Sequence, residues 1–166
     1  MRTHLWISAL CAGLASAGLA QDDGRTWSRE DLGVPGSPAL MRKLPTNPRL
    51  SVELRDGALA IVDAGSKPGD LIVFDRSWAA LPEVGAAGRA CLRVVRCSGL
   101  AGVMIGFSDG VHEDLLTLYP DRIELYRAGL KAAMDTSDAF HEYQVDIRAS
   151  DVRITVDGTL RLDGTG

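Results

Sequence analysis

The sequence predicts an all-β fold, an antiparallel β-sandwich, from three observations. Short apolar runs recur along the chain, with turn residues at roughly every 8 to 12 positions. No sustained 3.6-residue periodicity follows residue 20, so we expect almost no helix apart from a turn near residues 131–135. The strongest observation is a run of three alternating segments joined by two tight turns at residues 140–162.

Residues 1–20 have the pattern of a secretory signal peptide. Arg2 gives a weakly cationic start, an apolar run extends from Leu5 through Leu19, and small residues precede Gln21. This apolar run is shorter than the roughly 20 residues that a transmembrane helix needs. We therefore expect a secreted or periplasmic protein without a membrane span.

The charge of the chain argues against a nucleic-acid partner. The formal net charge is −4 at pH 7, and removal of Arg2 with the signal peptide would change it to −5 (−4 minus 1). No cluster of Lys and Arg remains that could contact a phosphate backbone. The moderate acidity mainly favours solubility.

Residues 21–49 are rich in Pro, Gly and Ser, which predicts an extended wrap or linker rather than the centre of a sheet. Within this segment, residues 22–27 fit the pattern D-x-G-x-T-W. This motif resembles the Asp-box of sialidase-type β-propellers, in which it shapes a turn. A propeller needs several blades of about 40 or more residues. The chain shows no such repeat, so this single motif predicts no propeller.

Residues 50–166 form the predicted sandwich domain, because turn signals separate a series of short apolar runs there. The most apolar runs are residues 89–97 and 102–107, and we expect them to pair as central strands covered on both faces. The other strands expected before the last three lie within residues 50–62 around Asp56-Gly57, at 71–74, and at 115–119 and 123–126 around Pro120-Asp121.

Residues 140–162 predict a three-stranded meander with one apolar and one polar face. Successive side chains of a strand point to opposite sides, so alternating apolar residues share one side. Asp157-Gly158, between the last two strands, predicts a type I′ turn, which needs positive φ at both central positions. The residues predicted to face inward are Tyr143, Val145, Ile147, Val152, Ile154, Val156, Leu160 and Leu162.

The same meander carries a family resemblance. Residues 140–164 read FHEYQVDIRASDVRITVDGTLRLDG, which resembles the pattern FHxYxV…(D)VxVxVDGxL of concanavalin A-like and laminin G-like jelly-roll domains. The resemblance implies a jelly-roll sandwich with carbohydrate or protein ligands, and it implies no single activity. Jelly-roll relatives normally continue for one or two more strands, so we expect this sandwich to lack its last strands. A β-sandwich of another type is the alternative.

The sequence offers no catalytic residue for glycoside hydrolysis. Catalytic jelly-roll glycosidases usually place two carboxylates on one strand as E-x-D-x-x-E, and no Glu in this chain has an Asp two residues later. The chain is therefore interpreted as a non-catalytic carbohydrate-binding or adhesion module. One alternative is the accessory N-terminal portion of a secreted, sialidase-like glycoside hydrolase whose catalytic residues are not in this chain. Another is a structural domain of the cell envelope.

A polar loop at residues 108–114 is the first candidate site. It reads S-D-G-V-H-E-D between two predicted strands. Asp109, Glu113 and Asp114 offer the oxygen ligands that a calcium ion prefers, and His112 is placed to hydrogen-bond a sugar hydroxyl. The alternative is a solvated hairpin loop without a ligand.

Aromatic rings are the second candidate feature, because an exposed ring can pack against the C–H groups of a pyranose. Trp78 follows a predicted strand directly and lies in a predicted loop, and Tyr126 ends another predicted strand. We select both rings as candidate contacts for a glycan partner. A position in the core is the alternative for Trp78.

Overall fold

A computed structural model of the chain describes residues 3–8, 50–55, 58–63, 85–97 and 102–164. This part of the chain consists of strands and their connections and contains no helix, so it offers none that could cross a membrane. The strands in it are β1 (Thr3–Ser8), β2 (Leu50–Arg55), β3 (Ala58–Asp63), β4 (Ala86–Arg96), β5 (Val103–Ser108), β6 (Glu113–Tyr119), β7 (Arg122–Leu125), β8 (Leu130–Ala133), β9 (His141–Arg148), β10 (Asp151–Val156) and β11 (Thr159–Gly164).

The strands form two antiparallel sheets. Over the described ranges, the large sheet has seven strands in the order β11-β10-β9-β4-β1-β3-β2, and the small sheet has four in the order β5-β6-β7-β8. The sheets contact each other where β4 and β9 meet β5, and where β11 meets β8. The predicted all-β sandwich is therefore confirmed at the level of two packed antiparallel sheets.

The first strand, β1, lies between β3 and β4 in the large sheet. It falls within residues 1–20, whose assignment as a signal peptide stays a prediction. Because β1 pairs with both neighbours, removal of residues 1–20 would leave β3 and β4 without the strand that joins them.

The core lies between the two sheets and is almost wholly aliphatic. Alternate residues of β4, β7, β9 and β10 enter it, as the two-residue period of a strand requires. Burying one such side chain contributes roughly 1.5–3 kcal/mol to stability. The buried members are Leu92, Val94, Leu116, Leu118, Ile123, Leu125, Tyr143, Val145, Ile147, Val152, Ile154, Val156 and Leu162.

The predicted meander is confirmed as β9, β10 and β11, which pair in order. The turn between β10 and β11 has positive φ at both central residues, 49° at Asp157 and 76° at Gly158, as a type I′ turn requires. All but one of the residues predicted to face inward are buried.

Leu160 is the exception, and its predicted inward position is wrong. Its side chain is 52% exposed. The pairing register shifts at this point, because Ile154 is opposite Leu162 while Thr155 is opposite Leu160, which leaves Arg161 as an extra residue. Such a β-bulge reverses the alternation on one side of it, so Leu160 and Leu162 do not share a face.

Two further expectations are corrected by the topology. The runs at residues 89–97 and 102–107 are strands, but they belong to different sheets: β4 pairs with β1 and β9, and β5 is an edge strand of the small sheet. Val103, Ile105 and Phe107 of β5 pack against the core between the sheets, whereas Met104 is 56% exposed, so β5 is not covered on both faces as expected. The turn expected near residues 131–135 is largely strand, since β8 spans Leu130–Ala133. The strand expected at residues 71–74 lies outside the described residues.

The turn between β9 and β10 is strained. Arg148 pairs with Asp151, so Ala149 and Ser150 form a two-residue turn. Ala149 has a φ of 52°, a conformation that costs an L-residue other than glycine about 1–3 kcal/mol. The surrounding contacts must therefore hold this backbone in place.

Ala149→Gly should stabilise the protein by about 0.5–1 kcal/mol, because glycine adopts positive φ without a Cβ penalty. Urea unfolding followed by circular dichroism would measure the change. Ala133→Gly, in the regular strand β8, is the matched control and should destabilise by about 0.5–1 kcal/mol. Equal destabilisation by both substitutions would contradict the strain at Ala149.

Candidate functional site

Three connections meet at one end of the sandwich, which we call the loop end. They are the loop at residues 109–112 between β5 and β6, the turn at 126–129 between β7 and β8, and the turn at 149–150 between β9 and β10. Hydrogen bonds from Ala149 to Asp109 and from Arg127 to Asp114 tie these connections together. The loop end therefore unites the two sheets, and together with the first two residues of β6, which we include in it, it contains five of the six residues selected from the sequence.

Asp109 is fully buried and holds the loop end together. Its Oδ1 accepts hydrogen bonds from the backbone N–H groups of Val111 and His112, at 2.9 and 2.8 Å. Its Oδ2 accepts one from the backbone N–H of Ala149 at 3.0 Å and lies 3.3 Å from Nδ1 of His112. A buried carboxylate is stable only when it is paired or hydrogen-bonded in this way.

These hydrogen bonds lower the pKa of Asp109 from 3.8 to about 2, with the backbone N–H groups of His112 and Val111 as the main causes. The carboxylate is therefore ionised at neutral pH. Its oxygens are occupied by donors from two connections, one in each sheet, and the group acts as a structural link between them.

Asp114, like Asp109, has a structural role. Its Oδ1 accepts hydrogen bonds from the backbone N–H groups of Leu115 and Arg127, at 2.6 and 2.8 Å, and its Oδ2 accepts one from Ala128 at 3.2 Å. The side chain is buried. It thereby closes the turn at residues 126–129 onto the beginning of β6.

Tyr126 stands on this closed turn with its side chain 74% exposed. Its backbone N–H donates to the carbonyl of Leu115 at 3.0 Å, so the backbone below the ring is held by the neighbouring strand. The ring of Tyr126 is thus a large exposed aromatic surface on a fixed support.

Charged and polar side chains lie on the same surface. Glu113, at the start of β6, forms an ion pair with Arg127, and both side chains are more than half exposed. The imidazole of His112 is 43% exposed and adjoins Glu113 in the chain. The exposed groups here therefore include one aromatic ring, one carboxylate, one guanidinium and one imidazole, together with the apolar side chain of Val111.

The carboxylates predicted as calcium ligands do not converge on a common point. Asp109 and Asp114 each bind backbone N–H groups of a different turn, and Glu113 faces outward to Arg127. Over the ranges that the structure describes, no group of three or more His, Cys, Asp or Glu side chains is arranged to hold a metal ion. Trp78 lies outside those ranges.

Arg127 was not selected from the sequence, although a signal for it was present. The hairpin around Pro120-Asp121 pairs Tyr119 with Arg122 and Leu116 with Leu125. Continuing the same register by two residues brings Arg127 opposite Asp114, beside Glu113. Extending the strand pairing outward from the turn at Pro120-Asp121 would therefore have identified Arg127 as a neighbour of Glu113.

A second polar cluster lies at the opposite end of the sandwich. His141, at the start of β9, places Nδ1 2.6 Å from Oδ2 of Asp157 and Nε2 2.8 Å from Oδ1 of Asp138. Burial opposes the charged imidazolium, but the hydrogen bonds with Asp157 and Asp138 outweigh it, so the pKa of His141 is raised. The ring also meets Tyr143 edge to face, with centroids 6.2 Å apart. This cluster supports the start of β9 and the type I′ turn.

No protein-family model, no curated protein and no solved structure matches this chain.

Asp109→Asn should remove part of the acid sensitivity of the fold. The pKa of Asp109 is lower in the folded chain than in the unfolded chain, so its contribution to stability is present above about pH 4 and is lost as the pH falls toward 2. Thermal unfolding between pH 7 and 2 would measure this. The variant should be less stable at pH 7 and lose less stability on acidification, whereas Asp151→Asn, at an exposed position, should follow the wild type. A parallel loss in Asp109→Asn and wild type would contradict this role.

His141→Gln should remove a decline of stability at neutral to alkaline pH. Because the pKa of His141 is raised by folding, its contribution is complete below the unfolded pKa of about 6.5 and is lost as the pH rises through the folded value. Denaturant unfolding at intervals from pH 5 to 9 would show the decline in the wild type and a flatter profile in the variant. Asp157→Asn, which keeps the turn preference but removes the charge, should flatten it too. An unchanged profile in both variants would refute the contribution.

Proposed function

We propose that this chain is an exported, non-catalytic module that binds glycan at the loop end of a concanavalin A-like jelly-roll sandwich. The observation that carries the proposal is the ring of Tyr126, which is 74% exposed on a turn whose backbone is tied to β6. An exposed aromatic ring offers its face to the C–H groups of a pyranose. A fixed backbone below the ring means that little conformational freedom is lost on binding.

The polar neighbours of Tyr126 suit the rim of such a site. A sugar presents hydroxyls that both donate and accept hydrogen bonds, and the loop end offers a carboxylate acceptor on Glu113 and guanidinium donors on Arg127. The ion pair between them is solvent-exposed and contributes little to stability. Both groups can therefore turn toward a ligand without loss of the fold. The part-exposed imidazole of His112, which precedes Glu113 in the chain, adds a further donor or acceptor.

The arrangement of the two sheets and their connections supports the proposal. Two antiparallel sheets pack face to face, and the connections that carry the polar groups gather at one end of them. The meander of β9, β10 and β11 contains the residues that resemble concanavalin A-like domains. Export through the signal peptide at residues 1–20 would bring this module into contact with extracellular or envelope glycans.

In this proposal the glycan is recognised without a calcium ion. Both oxygens of Asp109 and both of Asp114 already accept hydrogen bonds from backbone N–H groups. A bound cation would have to displace donors that hold the loop end together.

The test is a glycan-array screen of the purified chain, repeated with the variants Tyr126→Ala and Tyr126→Phe. Tyr126→Ala should weaken binding to the selected glycan about tenfold, because a stacked ring contributes roughly 1–1.5 kcal/mol. Tyr126→Phe keeps the ring and should bind within about threefold of the wild type. The matched control is Leu160→Ala, which removes an exposed apolar side chain of β11 and should leave binding unchanged.

Chelation by EDTA should leave glycan binding unchanged. A wild-type chain that is folded by circular dichroism yet binds no glycan on the array would overturn the proposal. Equal binding by the wild type and Tyr126→Ala would show that the glycan does not bind at the loop end. Calcium-dependent binding would contradict a purely structural role of Asp109 and Asp114.

A further inference from the structure

The charges of the loop end restrict the kind of ligand that can bind there. The loop end, which includes the first two residues of β6, contains three carboxylates and one guanidinium, on Asp109, Glu113, Asp114 and Arg127. Three negative charges against one positive charge give it a formal net charge of −2. Residues 148 and 151, which pair beside the turn at 149–150, add one charge of each sign and leave this balance unchanged.

Two of the carboxylates lie next to Arg127, on the turn that carries the ring of Tyr126. Glu113 forms an ion pair with the guanidinium of Arg127. Asp114 accepts hydrogen bonds from the backbone N–H groups of Arg127 and Ala128, at 2.8 and 3.2 Å. The positive charge of Arg127 is therefore balanced by Glu113, and Asp114 adds a further formal negative charge at the base of the turn.

An anionic ligand would gain little from Arg127. To bind the guanidinium, a ligand carboxylate has to displace Glu113, so one exposed ion pair replaces another and supplies no net attraction. The carboxylates of the loop end also repel an anion that lies within a Debye length of about 8 Å. We therefore expect a negative charge on the sugar to weaken binding roughly fivefold.

A neutral sugar meets no such penalty. A hydroxyl group both donates and accepts hydrogen bonds. It can donate to the carboxylate of Glu113 and accept from the guanidinium of Arg127 while the two stay paired. The ring of Tyr126 packs against C–H groups, which also carry no charge. Both kinds of contact at the loop end therefore favour an uncharged glycan.

We propose that the loop end selects neutral glycans over acidic ones, such as those with uronic or sialic acids, and that Glu113 sets this specificity by holding Arg127 in an ion pair. The inference rests on the glycan-binding function proposed above and narrows its ligand to one chemical class. In this arrangement Glu113 is a specificity-determining residue, whereas the buried Asp109 and Asp114 maintain the structure of the loop end.

The test compares glycans that differ in a single charge. An acidic glycan and its methyl ester share the same rings and hydroxyls, and only the acid is charged. The array would therefore carry uronic and sialic acid glycans, each beside its methyl ester, together with their neutral counterparts. In about 0.15 M salt the wild-type chain should bind the ester about fivefold more tightly than the acid, and the ratio should fall in about 0.5 M salt as screening increases.

Two variants assign the selectivity to the ion pair. Glu113→Gln frees the guanidinium of Arg127 for a ligand carboxylate and should reduce the ester-to-acid ratio to about twofold or less. Combining Glu113→Gln with Arg127→Gln removes one charge of each sign and should restore a ratio close to that of the wild type. Because exposed ion pairs contribute little to stability, both variants should fold, which circular dichroism would verify.

The matched control is Glu142→Gln. Glu142 also belongs to an exposed ion pair, with Arg89 at 3.9 Å, but it lies near the start of β9, whereas the loop end follows the end of that strand. This variant loses the same charge as Glu113→Gln and should keep the ester-to-acid ratio of the wild type.

Equal affinity of the wild type for the acid and its ester would overturn the inference and leave the glycan-binding function intact. A ratio that Glu113→Gln leaves unchanged, or that Glu142→Gln changes as strongly, would also overturn it, since the selectivity would then not depend on the ion pair. A folded wild-type chain that binds no glycan on the array would overturn the proposed function itself, and this inference with it.

Discussion

The buried carboxylate of Asp109 is the interaction on which the loop end depends. It lies in the loop between two strands of the small sheet and accepts a hydrogen bond from Ala149 in a turn of the large sheet. Because an ionised carboxylate inside a protein must be hydrogen-bonded, the loop folds around it and the strained turn of Ala149 is held against it. The two sheets meet largely through apolar packing, and this directional contact joins them at the loop end.

The positions of the candidate binding groups follow from that arrangement. Once Asp109 and Asp114 are satisfied by backbone donors, Glu113 and Arg127 are left at the surface and Tyr126 projects beside them. Polar residues in this segment thus have two separate roles: the buried ones build the loop end, and the exposed ones are available to a ligand. The hydroxyl of Tyr143 contrasts with this, since it is buried and has no hydrogen-bond partner among the described residues.

Features that depend on residues adjacent in the sequence agree with the predictions from that sequence. The type I′ turn at Asp157-Gly158 and the alternation along β9 and β10 follow from local backbone preferences and the two-residue period of a strand. The burial of Asp109 was not predicted, because the turn-forming pattern around it also fits an exposed loop. The ion pair of Arg127 with Glu113 was missed because it joins residues on two strands, although the hairpin register would have indicated it.

The all-β class, most of the described strands and the tight turns could be read from the amino-acid sequence, since each depends on short-range backbone chemistry. Three features became evident only in the folded chain: β4 and β5 belong to different sheets, a bulge at Arg161 turns Leu160 outward, and Asp109 is buried. The sheet membership and the burial of Asp109 depend on which segments pack together across the two layers, and the bulge depends on how β11 pairs with β10. Alternation along one strand carries no information about its partner strand or about the other layer.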